Sequence, residues 1–124
     1  MQFMIGQKQI SVYPCDEPDR PVIYLNTFEG EGEQVLHILN GGGCPPFTLV
    51  TVSDLDWNHD MSPWEIPSVF KNAEPCTGGA DDFIGLLCGK IVPETEKEIR
   101  GNALWRGIAG YSLAGLFALY SLYQ

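Results

Sequence analysis

Basic residues are scarce in this chain. Of its 124 residues, 7 are Lys or Arg and 16 are Asp or Glu, which gives a formal net charge of -9 at pH 7. Because nucleic acids and anionic membranes are bound through clustered Lys and Arg, this balance argues against both as partners. An acidic surface helps to keep a protein soluble, but it does not identify a positively charged partner.

Long hydrophobic runs are also absent. The nearest candidate, Leu113–Tyr123, is far shorter than the roughly 20 apolar residues that are needed to cross a bilayer. The N-terminal sequence MQFMIGQKQISVYP has no basic region followed by an apolar core, so we read no secretory signal there. We therefore expect a cytoplasmic protein that has no membrane partner.

Paired cysteines and metal-ligand spacings are missing as well. The four cysteines are scattered without a C-x-x-C pair, which favours free thiols in a reducing compartment over disulfides or a zinc site. One polar segment contains Asp54, Asp56, His59 and Asp60, but their spacing matches no defined calcium or zinc loop. We interpret them as turn-forming residues and expect neither a metal nor another cofactor.

The chain does contain an alternation of apolar strands and helices. Its length and its 44% hydrophobic content suit a single domain, 1–124, with a modest core. Almost wholly apolar strands are typical of a sheet that is covered on both faces. The alternation predicts an α/β fold with a mainly parallel sheet and flanking helices. The predicted strands are Gln7–Tyr13, Val22–Asn26, Phe47–Ser53 and Leu104–Tyr111, and the predicted helices are Glu33–Leu39, Asp81–Ile91 and Leu113–Tyr123.

Two segments depart from this regular pattern. The second predicted helix continues to about Ile99 past Pro93, and a proline inside a helix predicts a kink there. Residues 54–77 contain three prolines and two tryptophans and are interpreted as a long irregular loop. Because loops of this length inside a compact domain are often functional, this segment is a candidate part of a site.

Ser112 is the candidate catalytic residue, since it lies between the last predicted strand and the last helix. The surrounding residues Gly110-Tyr111-Ser112-Leu113-Ala114-Gly115 follow the G-x-S-x-G nucleophile elbow, except that Ala114 replaces the second glycine. Such a tight turn needs small residues on both sides of the serine, and Gly110 and Ala114 meet that need. It would expose the hydroxyl and direct the Leu113 N–H toward the reacting group. The alternative is that Ser112 merely caps the helix.

Several motifs together resemble one family. WRGIAGYSLAGLFALYSLY (105–123) is similar to the elbow of α/β-hydrolase esterases of the enterochelin-esterase (Fes/IroE-like) group. PVIYLN (21–26), WNHDMSPW (57–64) and GGADDFIGLLCGKIVPETE (78–96) resemble further segments of that group, so the likeness runs from about Pro21 to Gln124. The resemblance implies a partial α/β-hydrolase fold and ester hydrolysis through an acyl-enzyme on Ser112.

The resemblance also implies the groups that surround the serine. One oxyanion-hole amide would be that of Leu113, and the second would belong to Thr27 or Phe28. Trp57, Trp64 and Tyr111 are candidates to line the substrate cleft, together with Phe70 in the long loop. For the tryptophans, an ordinary packing role is an equally good interpretation.

The residues that would activate Ser112 are missing from the sequence after it. In α/β hydrolases the order is Ser, then Asp or Glu, then His, yet residues 113–124 contain none of these partners. His37 and His59 both precede Ser112; we expect His37 to lie on a helix face, and we consider His59 only a weak candidate for a substitute base. The chain is therefore expected to be the N-terminal half of a hydrolase, ending just after the nucleophile helix.

The last predicted helix indicates how such a half would behave. It is apolar around most of its circumference, so it needs burial on several sides. We expect a homo-oligomer or association with a missing C-terminal half. The favoured function is a serine carboxylesterase that, in its complete form, acts on a small-molecule ester; the alternative is an inactive fragment that acts by protein association. A nucleotide-binding domain is least favoured, because the glycines of NGGG (40–43) lack the accompanying phosphate-binding residues.

Overall fold

The computed structural model describes residues 1–68 and 74–124, and it shows strands and helices in alternation. The described residues form the strands β1 (Gln2–Ile5), β2 (Lys8–Tyr13), β3 (Val22–Asn26), β4 (Thr48–Ser53), β5 (Glu65–Ile66), β6 (Cys76–Thr77) and β7 (Arg106–Ala109). The helices are α1 (Gly32–Gly41), α2 (Trp57–Asp60), α3 (Ala80–Leu86), α4 (Val92–Glu96) and α5 (Leu113–Ser121), with a π-helical turn at Leu87–Ile91 that joins α3 to α4.

The main sheet has five strands in the order β1-β2-β4-β3-β7. Strand β3 lies between β4 and β7 and is parallel to both, whereas β2 is antiparallel to β1 and to β4. The α/β class is therefore confirmed, but the sheet is mixed, and the prediction of a mainly parallel sheet holds for only one side of it. The difference arises from β2, which was predicted as a strand but is antiparallel to β4, and from β1, which was not predicted. It pairs with β2 through a tight hairpin in which Gly6 has a φ of 61°, the backbone region that such turns require.

One face of the main sheet packs against α3, the π-helical turn and α5. Alternate residues of β2, β3 and β4 belong to one buried cluster with residues of α3, the π-helical turn and α5. The rings of Phe83 and Phe117 meet edge to face in this cluster, with 5.3 Å between their centroids. Burying each such side chain contributes roughly 1.5–3 kcal/mol, so this layer holds α5 firmly against the sheet.

The helical segment between residues 80 and 96 follows its prediction closely. It continues past Pro93, as expected, and the π-helical turn Leu87–Ile91 lies just before that proline. Proline lacks the N–H that a regular helix would use, so a local change in helical geometry is the expected response.

The segment predicted as an irregular loop is more ordered than expected. It forms the short helix α2 and the antiparallel pair β5–β6. The Asp60 carboxylate at the end of α2 accepts a hydrogen bond from the Asp56 N–H at 3.0 Å and pairs with Lys8 at 3.2 Å. These contacts tie α2 to the main sheet. In the part of the chain that the structure describes, every helix is too short or too polar to cross a membrane.

The opposite face of the sheet carries α1, which begins very close to β4. A Cβ atom at Gly32 would lie 2.3 Å from Thr51 Cγ2, so only glycine allows this approach. The close contact fixes the start of α1 beside the end of β3. Because β3 and β7 are parallel, the connection from Thr27 to Glu31 lies at the same edge of the sheet as the turn after β7.

Candidate functional site

The turn between β7 and α5 holds Ser112 in an unusual backbone conformation. Ser112 has φ 54° and ψ -125°, and among residues 1–68 and 74–124 only Asp19 and Asp54 share a positive φ without being glycine. Such a conformation costs about 1–3 kcal/mol and persists only where the surrounding structure enforces it. Because strain of this kind is concentrated at functional sites, Ser112 is a candidate functional residue.

The neighbours of Ser112 show what enforces this conformation. A Cβ atom at Gly110 would lie 2.4 Å from the Ala114 carbonyl oxygen and 2.8 Å from the Ala114 Cβ. Ala114 itself is fully buried beneath the turn. The two flanking residues therefore nearly touch, which is the steric requirement that the elbow pattern predicts, and alanine satisfies it at the second position.

The Ser112 side chain does not act as a helix cap. It makes no capping hydrogen bond to α5, and the residue is exposed. Instead, its carbonyl oxygen accepts the Gly115 N–H at 3.1 Å and the Leu116 N–H at 3.3 Å. The capping alternative is therefore wrong, and the hydroxyl is left on the surface of the turn.

The backbone amides near Ser112 differ in their availability. Leu113 is the first residue of α5, so its N–H is one of those that have no acceptor within the helix. Thr27 is buried, and both its N–H and its hydroxyl donate to the Val52 carbonyl oxygen, at 2.9 and 3.0 Å. The Phe28 N–H instead donates to the Tyr111 hydroxyl at 3.2 Å. Of the two amides considered from the sequence, only that of Phe28 is directed at the turn that carries Ser112.

A hydrogen-bonded network connects this amide to an acidic residue. The Tyr111 hydroxyl donates to one carboxylate oxygen of Glu31, and the other oxygen accepts the Glu29 N–H at 2.9 Å. Sequence reasoning missed Glu31, because it is 80 residues from Tyr111 and its segment reads only as a loop. The three residues Phe28, Tyr111 and Glu31 thus join the end of β3, the elbow and the start of α1.

The acidities in this network follow from its contacts. Partial burial and then the bond to Glu31 raise the pKa of the Tyr111 hydroxyl. Partial burial alone would raise the pKa of Glu31 as well, but hydrogen bonds from Tyr111 and from nearby backbone amides outweigh it and lower that pKa. At neutral pH the proton therefore stays on Tyr111 and the Glu31 carboxylate stays charged.

The predicted cleft residues divide into two groups. Trp57 lies against both Phe28, with ring centroids 5.1 Å apart, and Tyr111, at 5.9 Å. These three rings form an aromatic wall beside the elbow. Trp64 lies elsewhere, with its ring edge to face against Tyr120 of α5 at 6.4 Å. Phe70 falls outside the described residues.

Neither histidine contacts the elbow. His37 is exposed on α1, as predicted. The His59 ring forms a 2.6 Å hydrogen bond with Thr77 Oγ1, and a Cβ atom at Gly79 would come within 2.4 Å of it. The His59 side chain therefore packs from α2 against β6 and the start of α3. Among the residues that the structure describes, no three His, Cys, Asp or Glu side chains are grouped so that they could hold a metal ion.

Comparison with solved structures identifies proteins of the same fold. The BES protein from Bacillus cereus is 24% identical, with a TM-score of 0.78, and the match covers 100% of this chain and 57% of that one. The siderophore hydrolase EstA from Aspergillus nidulans is 17% identical (TM-score 0.68), with coverages of 100% and 52%. An IroE-like serine hydrolase from Shewanella oneidensis is 21% identical (TM-score 0.74), with coverages of 93% and 41%.

These matches define the class of fold. The predicted resemblance to the Fes/IroE-like hydrolases is confirmed at the level of structure, because an IroE-like serine hydrolase and a siderophore hydrolase share this chain's architecture. The chain spans about half the length of the solved structures that it matches. Comparisons with protein-family models and with curated proteins give no match.

Proposed function

We propose that this chain forms the nucleophile-bearing part of a serine ester hydrolase that acts on a small-molecule ester. The observation that carries the proposal is the conformation of Ser112, which is strained, exposed and enforced by the contact between Gly110 and Ala114. We also propose that the protein works in the cytoplasm, where its four free thiols stay reduced.

In the proposed reaction, Ser112 Oγ attacks the acyl carbon of the ester and gives up its proton to a base. The carbonyl oxygen becomes an oxyanion, which the Leu113 and Phe28 amides would stabilise; one such donor is worth about 10²–10³ in rate. The alcohol then leaves and the acyl group remains on Ser112 until water removes it. Phe28 is preferred to Thr27 because the Thr27 N–H is already bonded to Val52.

The base and the acid that orients it are also part of the proposal. No Asp, Glu or His follows Ser112 in the sequence, and His59 is bonded to Thr77. We propose that a histidine and an acid from outside these 124 residues complete the site. Without them, an oxyanion hole alone still gives residual catalysis, so the chain is expected to acylate slowly and to turn over negligibly.

Slow acylation can be detected by mass spectrometry. After incubation with p-nitrophenyl acetate, we expect an acetyl group on Ser112, found by peptide mapping. Ser112→Ala should remove that modification, whereas the control Ser121→Ala should keep it, because Ser121 lies later in α5 with its hydroxyl bonded to the Ala118 carbonyl at 2.8 Å. Acetylation that maps only to lysines or cysteines, and that is the same in Ser112→Ala, would contradict the proposal.

A second proposal concerns protein association, and a specific surface favours it. Strand β7 pairs with β3 on one side and, within residues 1–68 and 74–124, with no strand on the other. Several apolar side chains that precede this edge strand, lie on α5 or directly follow α5 are largely exposed, namely Leu104, Trp105, Leu119, Leu122 and Tyr123. An open strand edge next to exposed apolar groups is a typical site for another chain or segment to pack.

Light scattering tests this association. We expect the isolated chain to form dimers or larger species at concentrations well above micromolar, and the double variant Leu119→Glu/Leu122→Glu to shift it toward monomer. Ile38→Glu is the matched control, because Ile38 is 70% exposed but lies on α1. A monomeric wild-type chain at those concentrations would count against the proposal.

A further inference from the structure

The Phe28 amide, which the proposed reaction needs, is already occupied. Its N–H donates to the Tyr111 hydroxyl at 3.2 Å, and Tyr111 directly precedes Ser112 in the elbow. Any oxyanion that is to bind this amide must therefore displace the Tyr111 hydroxyl. This contact involves the reacting site itself.

The Tyr111 hydroxyl cannot donate a hydrogen bond to the oxyanion in place of the Phe28 N–H. A phenol carries a single proton, and in this structure that proton is donated to Glu31. Its oxygen therefore meets the Phe28 N–H as an acceptor and would present a lone pair, not a proton, to an incoming oxyanion. The hydroxyl competes with the oxyanion for the amide.

Glu31 holds the Tyr111 hydroxyl in this position, and the Glu31 carboxylate is itself held in place. Its second carboxylate oxygen accepts the Glu29 N–H at 2.9 Å, so both oxygens are used. Glu31 also immediately precedes α1, whose first residue Gly32 packs tightly on Thr51. The carboxylate is thus anchored to the sheet through the start of this helix.

We propose that Glu31 and Tyr111 form a latch in which the Tyr111 hydroxyl blocks the Phe28 N–H of the resting chain. Acyl transfer then requires the Tyr111 hydroxyl to move away from this N–H. This inference rests on the proposed function and describes the regulation of the same site. Glu31 and Tyr111 are positioning residues in this scheme, because they act through the Phe28 amide.

The latch would open for the oxyanion of the transition state and stay closed for the bound ester. A neutral ester carbonyl is a weak competitor for an amide that already has a hydroxyl acceptor. An oxyanion forms a shorter, charge-assisted hydrogen bond that is roughly twice as strong as a neutral one. The exchange is therefore favourable only when negative charge develops, and the free energy that is needed to displace the Tyr111 hydroxyl reduces the net stabilisation of the transition state. The cost is slower acylation for as long as the latch is held.

Two readouts on the intact chain test the latch. In Tyr111→Phe, the Phe28 amide proton should move upfield in the proton–nitrogen correlation spectrum and exchange faster with deuterium, because the Tyr111 hydroxyl that accepts it is gone. The rate of Ser112 acetylation by p-nitrophenyl acetate should rise at least several-fold. The upper bound is ~10²–10³, which is the rate effect of one oxyanion-hole donor. Glu31→Gln, which keeps the side-chain length and removes the charge, should give a smaller change in the same direction.

The control is Tyr120→Phe, which also removes a tyrosine hydroxyl that donates to a carboxylate, here that of Asp81 at 2.8 Å, and which should leave both readouts unchanged. A purely structural role for Tyr111 would lower the acetylation rate or leave it unchanged even though the Phe28 amide is released, and either result overturns the latch. An unchanged Phe28 amide signal in Tyr111→Phe overturns it as well. If no variant acetylates Ser112, the proposed function fails, and the latch fails with it as a regulator. The amide signal then still decides whether the hydrogen bond between Tyr111 and Phe28 exists.

Discussion

Gly110→Ala is expected to destabilise the chain by about 3 kcal/mol, the upper end of the usual cost of overpacking. The added Cβ would lie 2.4 Å from the Ala114 carbonyl oxygen and 2.5 Å from its carbonyl carbon, which are backbone atoms and cannot rotate away. Helix α5 cannot retreat either, because Ala114 and Phe117 are fully buried against the sheet. The turn must open, and the conformation that exposes Ser112 should be lost with it.

Urea denaturation measures this effect through the midpoint and slope of the unfolding transition. Gly85→Ala is the matched control, because a Cβ at this α3 position meets no atom within 4 Å. Alanine in place of a helical glycine should stabilise by roughly 0.5–1 kcal/mol. A Gly110→Ala variant as stable as wild type would show that the contact between residues 110 and 114 does not hold the elbow.

Supplying the proposed histidine base is expected to raise ester hydrolysis by about 10³-fold or more over the 124-residue chain. General acid–base catalysis contributes about 10²–10⁴, and the members of a catalytic triad act as a unit. The preparation to test is this chain extended by, or co-expressed with, the polypeptide encoded next to it in the source genome. The gain arises because the base takes the Ser112 proton as the bond to the acyl carbon forms.

Ser112→Ala should return the completed preparation to the background rate of ester hydrolysis, while Ser121→Ala should retain the gain. Ser112 directly precedes α5 and Ser121 is in α5, so each variant removes one serine hydroxyl from the same region. Only Ser112→Ala removes the hydroxyl that is proposed to attack the ester. Robust hydrolysis that survives Ser112→Ala would assign the activity to another residue.

Much of the fold was predictable because its signals are local. The bounds of β3 match the prediction Val22–Asn26 residue for residue, since a short apolar run between turn residues has few alternatives. The elbow was also predictable, because its steric requirement concerns residues only four positions apart, Gly110 and Ala114. The antiparallel hairpin at the N-terminus was missed: β1 has four residues, alternates between exposed and half-buried positions, and owes its place to pairing with β2.

The candidate site was less predictable because it depends on contacts between distant segments. The sequence left Thr27 and Phe28 as equal candidates, and only the hydrogen bonds of the folded chain separate them. Glu31 could not be found from the sequence, since its partner Tyr111 is 80 residues away. Trp64 shared a motif with Trp57, yet the fold places it against α5 and away from the aromatic wall. The single-domain prediction and the roles of the site residues remain predictions.

We propose that Ser112 is a nucleophile whose acid and histidine come from outside residues 1–124. This proposal is tested by reading the coding sequence that follows the Gln124 codon in the source genome, together with its neighbouring frames. We expect a further α/β segment that contains an Asp or Glu and, later, a His. A stop codon with no such segment nearby would contradict it, and the strained serine would then be the relic of an elbow on a protein that acts by association.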